Sequence, residues 1–174
     1  MDMRQDALRQ AKAAFAESRD EIFSAIEVIN EILEYAKKEG LLALSQDKFF
    51  RQEELHILDA IEERGKKVPL KQYLSYALEH VSNGEELELL DVFMENRYFA
   101  NSYTGKEAYI SYIYLIGITS IAQGLNFGQI LLCFQSLIPD SEREPFEKFA
   151  AKWELCGKSA KKIGTVIQFG QKGE

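Results

Sequence analysis

Residues 3–40 read MRQDALRQAKAAFAESRDEIFSAIEVINEILEYAKKEG, and they decide the fold class. No Gly or Pro interrupts them before Gly40. Apolar side chains recur at every seventh position, Leu8, Phe15, Ile22, Ile29 and Ala36, supplemented by Ala11, Ala25, Ile26, Ile32 and Leu33. With about 3.6 residues per helical turn, such a repeat draws one apolar stripe along a helix. The spacing predicts one long amphipathic helix, or two joined smoothly, ended by Gly40 as a left-handed cap. Lys37 and Lys38 fall in the last turn, where the negative end of the macrodipole favours cations. Glu34 and Lys38, four apart in the favoured order, add support on the solvent face.

The same punctuation divides the rest of the chain. After Leu41-Leu42-Ala43-Leu44, Ser45 is expected to cap a helix running to about Arg64, with Phe49 and Phe50 at its start and Leu55, Ile57, Leu58 and Ile61 inward. Pro69 suits the first turn of a third helix, which carries Leu70, Tyr73, Leu74, Ala77 and Leu78. Asn83 with Glu86, Thr104 with Glu107, and Ser141 with Glu144 have the spacing of capping pairs. They open helices through Met94 and Arg97, through Tyr109 to Ile118, and through Phe146, Phe149, Trp153, Ile163 and Ile167, with a further helix after Asn126. No stretch alternates with the period of a strand. The expected fold is an all-α bundle of six to eight helices, with a long helix at each end, forming a single domain over residues 1–174. Phe49-Phe50 before Gly65 and Tyr98-Phe99 before Gly124 hint at two similar helical halves, about 46–81 and 96–138.

Charge narrows the function classes. The chain has 174 residues, 28 Asp and Glu against 21 Lys and Arg, and a formal charge of −7. An acidic chain lacks the concentrated Lys and Arg that phosphate contact needs, which argues against nucleic acid as a partner. At 46% hydrophobic residues it has ample material for a core and is not intrinsically disordered. The charge is uneven. Residues 1–100 hold 13 basic and 21 acidic groups, while residues 101–174 hold 8 and 7, with Lys152, Lys158, Lys161, Lys162 and Lys172 near the end. From Ala108 to Pro139, 32 positions carry no charge, but Gln123-Gly124-Leu125-Asn126 interrupts them. Neither piece reaches the roughly 20 apolar residues of a bilayer span, so a buried helical hairpin is expected. The polar start, Met1-Asp2-Met3-Arg4, has no signal-peptide character. Cys133 and Cys156 are isolated and read as reduced thiols, which places the expected location in the cytoplasm.

No catalytic, cofactor or metal constellation emerges. His56 and His80 have no partner at ligand spacing. Gly157-Lys158-Ser159 looks like the end of a phosphate loop, yet the position of the required first glycine is Lys152 and the approach is helical. Five of the eight tyrosines, Tyr98, Tyr103, Tyr109, Tyr112 and Tyr114, fall within 17 residues. The helix carrying Tyr109 and Tyr112 has no polar face, so it is either buried centrally or meets a partner.

Ala36-Lys37-Lys38-Glu39-Gly40-Leu41-Leu42-Ala43-Leu44 resembles the A-R-K-E-G-L-L-A-L signature of the MotA flagellar stator family, related to TolQ and ExbB. A looser likeness continues through Phe49-Phe50-Arg51 and through Gly65, Leu70, Leu74 and Glu79, so that residues 24–80 are covered. In that family the stretch is cytoplasmic and begins the loop that exchanges force with the rotor through charged side chains. The resemblance implies that Lys37 holds the basic rotor-facing position. Ser45 stands where the family has an acid, and the membrane helices and ion path are missing. Two readings follow. One is a cytoplasmic, non-enzymatic module that binds a protein, such as a motor component, through Lys37, Lys38 and Glu39, with a Tyr109–Tyr112 face as a second surface that leaves self-association open. The other is a small-molecule binder or sensor with a pocket lined by Tyr109, Tyr112 and Asn126.

Overall fold

The computed structural model describes residues 1–47 and 55–156. Among these there are eight α-helices and no strand, as the periodicity requires. The N-terminal stripe forms α1, Met3–Arg9, and α2, Ala11–Glu39. The break at Gln10 shifts the helical phase, which turns Leu8 out to solvent and buries Met3 and Ala7 instead. Beyond it, Phe15, Ile22, Ile29 and Ala36 are all buried as the repeat predicts. A second interruption sits inside α2, where Ser18 takes extended backbone (φ −162°, ψ 91°). Its Oγ accepts from the Glu21 amide at 3.3 Å. Ser18-x-x-Glu21 thus restarts the helix in the manner of an N-cap.

The uncharged stretch folds as α6, Gly105–Ala122, a turn, and α7, Phe127–Gln135. Asn126 and Gln129 form a reciprocal capping box at the start of α7. Helix α6 is the centre of the molecule. It packs chiefly on α2 and also touches α1, α4, α5 and α7, with α4 spanning Lys71–Ser82 and α5 spanning Leu87–Ala100. The two central helices meet closely at Gly117, where an added Cβ would lie 2.7 Å from Ile29 Cδ1 and 2.8 Å from its Cγ2. Ile29 is β-branched and stiff at χ1, so this position has room for glycine alone.

The beginning of α6 is capped across the fold rather than within its own turn. Thr104 occupies the N-cap without a side-chain bond, contrary to the pairing expected with Glu107. The Gly105 amide donates to Gln10 Oε1. The Lys106 amide donates to Glu17 Oε2 at 3.1 Å. Gly105 has φ +56°, and a side chain there would reach within 2.5 Å of the Glu17 carboxylate. Helix N-termini leave amides without intrahelical partners, and here Gln10, at the joint of α1 and α2, and Glu17 of α2 supply the acceptors.

Buried tyrosines tie the elements together. Tyr114 donates to the Pro69 carbonyl at 2.5 Å, Tyr109 to Leu137 O at 2.8 Å and Tyr73 to Met94 O at 3.3 Å. Tyr98 donates to the Asp6 carboxylate. Each ring fills core volume while its hydroxyl satisfies a group on a different element.

Several expected caps are placed differently. Asn83 ends α4, and α5 starts from Glu86 with no side-chain cap. Ser45 closes a 3₁₀ turn, Leu41–Leu44, instead of opening a helix. Of the expected second helix the described part is α3, Ile57–Glu63; Phe49 and Phe50 lie outside the described residues. His56 caps α3, accepting from the Leu58 amide at 3.3 Å while Nε2 reaches Leu44 O at 3.0 Å. That pattern makes it a neutral imidazole protonated on Nε2, a structural histidine as its isolation suggested. The last helix, α8 at Arg143–Cys156, follows a 3₁₀ turn at Asp140–Glu142. Phe149 stacks on Phe23 at 4.4 Å, and Trp153 meets both Phe127 and Phe149 edge-on at 4.9 Å. Ile163, Ile167 and the terminal lysines from Lys158 onward lie outside the described residues.

Candidate interaction surface

The end of α2 turns a corner at Gly40. Its backbone (φ +87°, ψ 165°) is a positive-φ, extended conformation open to glycine and not the left-handed cap expected. The Gly40 amide still bonds Ala36 O at 2.8 Å. In the turn that follows, Ala43 and Leu44 go inward, while Leu41 and Leu42 stand 38% and 57% exposed. The far side of the turn is fastened by Glu79 of α4. Its Oε1 accepts from Ser45 Oγ and its Oε2 from the Gln46 amide, both at 3.0 Å.

The charges beside this corner are matched in pairs. Lys37 bonds Glu34 at 2.9 Å, and Lys38 bonds Glu39 at 3.0 Å, so the expected Glu34–Lys38 pairing gives way to these two. Exposed pairs of this kind contribute about 0–1 kcal/mol each. The arrangement is therefore an apolar centre, Leu41 and Leu42, with a polar rim formed by Lys37, Lys38 and Glu39. Association surfaces are commonly built in this way.

The second expected surface is corrected by the fold. Tyr109 and Tyr112 are 0% and 4% exposed, because α6 is the central helix. Among the described residues, its neighbour α5 carries an exposed apolar face. There Leu90, Met94 and Tyr98 point inward, four residues apart, while Leu89, Val92 and Phe99 are exposed on the opposite side. The signal was present in the sequence. Once the Leu90–Met94–Tyr98 set is assigned to the core, Leu89, Val92 and Phe99 are left over at helical spacing.

Among the described residues, Tyr109, Tyr112 and Asn126 are not brought together around one pocket. The Tyr109 hydroxyl is held by Leu137, and the Asn126 side chain is used in the cap of α7. A cleft of about 320 Å³ does open between α1, α5, α6 and α7, and Tyr112 lines it. Cys133 borders the same cleft and is partly buried. A wider hollow of about 770 Å³ has Lys71, Glu79 and Arg97 on its walls. Lys71 there is held by Asp59 at 2.7 Å and Glu62 at 2.6 Å, and these bonds raise its pKa.

Among the described residues no group of three His, Cys, Asp or Glu side chains is placed to hold a metal, and no helix is long and apolar enough to cross a membrane. His80 sits between the rings of Tyr76 and Phe93, at 4.5 and 4.6 Å. No protein-family model, curated protein or solved structure matches the chain.

Proposed function

We propose that the chain is a non-enzymatic helical module that works by binding another protein at the Gly40 corner. The observation that carries this reading is the pair Leu41 and Leu42, exposed in a turn that Glu79 fastens from behind. Exposed leucines on a rigid turn lose little freedom on binding, so their burial contributes to affinity nearly undiminished. Lys37, Lys38 and Glu39 form the rim and set orientation more than strength. The likeness of residues 36–44 to the stator signature supports a cytoplasmic motility assembly as the setting.

The test is site-specific capture in living cells. A photo-reactive amino acid placed at position 42 is expected to give one discrete adduct. That adduct is expected to fade when Lys37 and Lys38 are both replaced by Glu, and to disappear with Leu41→Ser. An adduct of twice the chain's mass identifies a second copy as the partner. No adduct from position 42, or one indifferent to all three substitutions, would sink the reading.

A further inference from the structure

The cleft between α1, α5, α6 and α7 shares no residue with the Gly40 corner, and two polar groups on its walls lack a protein partner among the described residues. Tyr73, Tyr98, Tyr109 and Tyr114 each donate to a protein acceptor. Tyr112, on the cleft wall, has no hydrogen-bond partner among the described residues. Thr119 also lines the cleft, and its Oγ1 is shut from solvent with no partner. Buried polar atoms in folded proteins are nearly always satisfied, and the neighbouring serines conform. Ser120 Oγ donates to Ile116 O and Ser136 Oγ to Cys133 O, at 2.7 and 2.6 Å.

The mouth carries one charge of each sign. Arg4 comes from α1 and Asp91 from α5. They do not pair within 4.0 Å, and Arg4 has no other ion pair among the described residues. Partial burial raises the Asp91 pKa and nearby Glu95 adds to this, while Arg4 opposes the shift. The cation and anion therefore feel one another across a gap. Between them the walls are aliphatic, with Leu115, Ile116 and Leu137. A volume of about 320 Å³ is at the small end of ligand pockets, which run from roughly 300 to 1,000 Å³.

We propose that this cleft binds a small zwitterion with an aliphatic body, the chemistry of a free apolar amino acid. Its carboxylate bridges to the Arg4 guanidinium and the Tyr112 hydroxyl, its ammonium to Asp91, and its side chain lies against Leu115, Ile116 and Leu137. Opposite charges held apart at one mouth favour a ligand carrying both signs over either ion alone.

The experiment titrates the full chain by calorimetry with L-leucine, L-isoleucine and L-valine, and with the two halves of leucine, 4-methylpentanoate and 3-methylbutylamine. Saturable binding of at least one amino acid is expected, about tenfold tighter than either half, which is the worth of one charge-assisted hydrogen bond. Arg4→Gln is expected to abolish the preference for the amino acid over the amine. Asp91→Asn is expected to abolish the preference over the carboxylate. Both residues are exposed at the rim, so helix content by circular dichroism is expected to stay at the wild-type level. No saturable binding of any of the three amino acids overturns the proposal, as does binding with unchanged preferences in both variants.

Discussion

Tyr114 shows what a single side chain does in this core. Its ring is fully buried and its hydroxyl holds the Pro69 carbonyl at 2.5 Å. The next residue, Leu70, has φ +46°, a left-handed conformation that a branched side chain adopts only when its surroundings hold it there. Tyr114→Phe leaves that carbonyl without its donor and is expected to destabilise the protein by about 1–3 kcal/mol. Tyr112→Phe removes a hydroxyl that has no acceptor among the described residues and is expected to change stability by less than about 0.5 kcal/mol. Paired urea denaturation curves check the contrast, and equal losses for the two would contradict it. Gly117 is the converse case at the same scale, a residue chosen for the absence of a side chain against Ile29.

Among the elements, helix α6 depends on parts distant in sequence. Gln10 and Glu17 accept from its first two amides, so its start is stabilised only when α1 and α2 are in place. Glu17→Ala is expected to cost about 0.5–2 kcal/mol, the range for losing an N-cap, and to speed amide exchange at Lys106 ahead of residues in the middle of α6. Exchange at Lys106 unchanged from wild type would contradict this. The same case shows why parts of the fold were legible in the sequence and others were not. Helices announced themselves through local periodicity, as Phe15, Ile22, Ile29 and Ala36 do, and the Asn126–Gln129 box needed only residues three apart. The acceptors for Gly105 and Lys106 lie about 90 positions away, and no local pattern encodes them. At the candidate sites, Lys37, Lys38 and Glu39 stand at the exposed corner where the helix end suggested. For Tyr109 and Tyr112 the sequence leaves burial and partner contact both open, because an all-apolar helix fits a core or an interface equally well, and only packing against α2 decides. Ser18-x-x-Glu21 has the local pattern of a cap, but the seven-residue repeat runs straight through it and masks the break.

Across the whole molecule, six tyrosines share one electrostatic condition. Burial is the leading cause that raises the pKa of Tyr73, Tyr98, Tyr103, Tyr109, Tyr112 and Tyr114 above the ordinary tyrosine value. The folded state therefore keeps protons that the unfolded chain releases from about pH 10 upward. Stability from these groups is fully present below that pH and is lost as pH rises toward their folded-state values. Alkaline titration is expected to show tyrosinate absorbance appearing together with loss of helical circular dichroism, in one cooperative step. Tyrosinate forming fully while helicity persists would contradict it. Topology adds a consequence for how the protein is made. The stripe of α2 closes mainly on α6, and Ile29 meets Gly117 across 88 positions of chain. A ribosome must therefore release α3, α4 and α5 before the surface that completes the core exists, and until then the growing chain carries an open apolar helix that invites chaperone capture or mispairing.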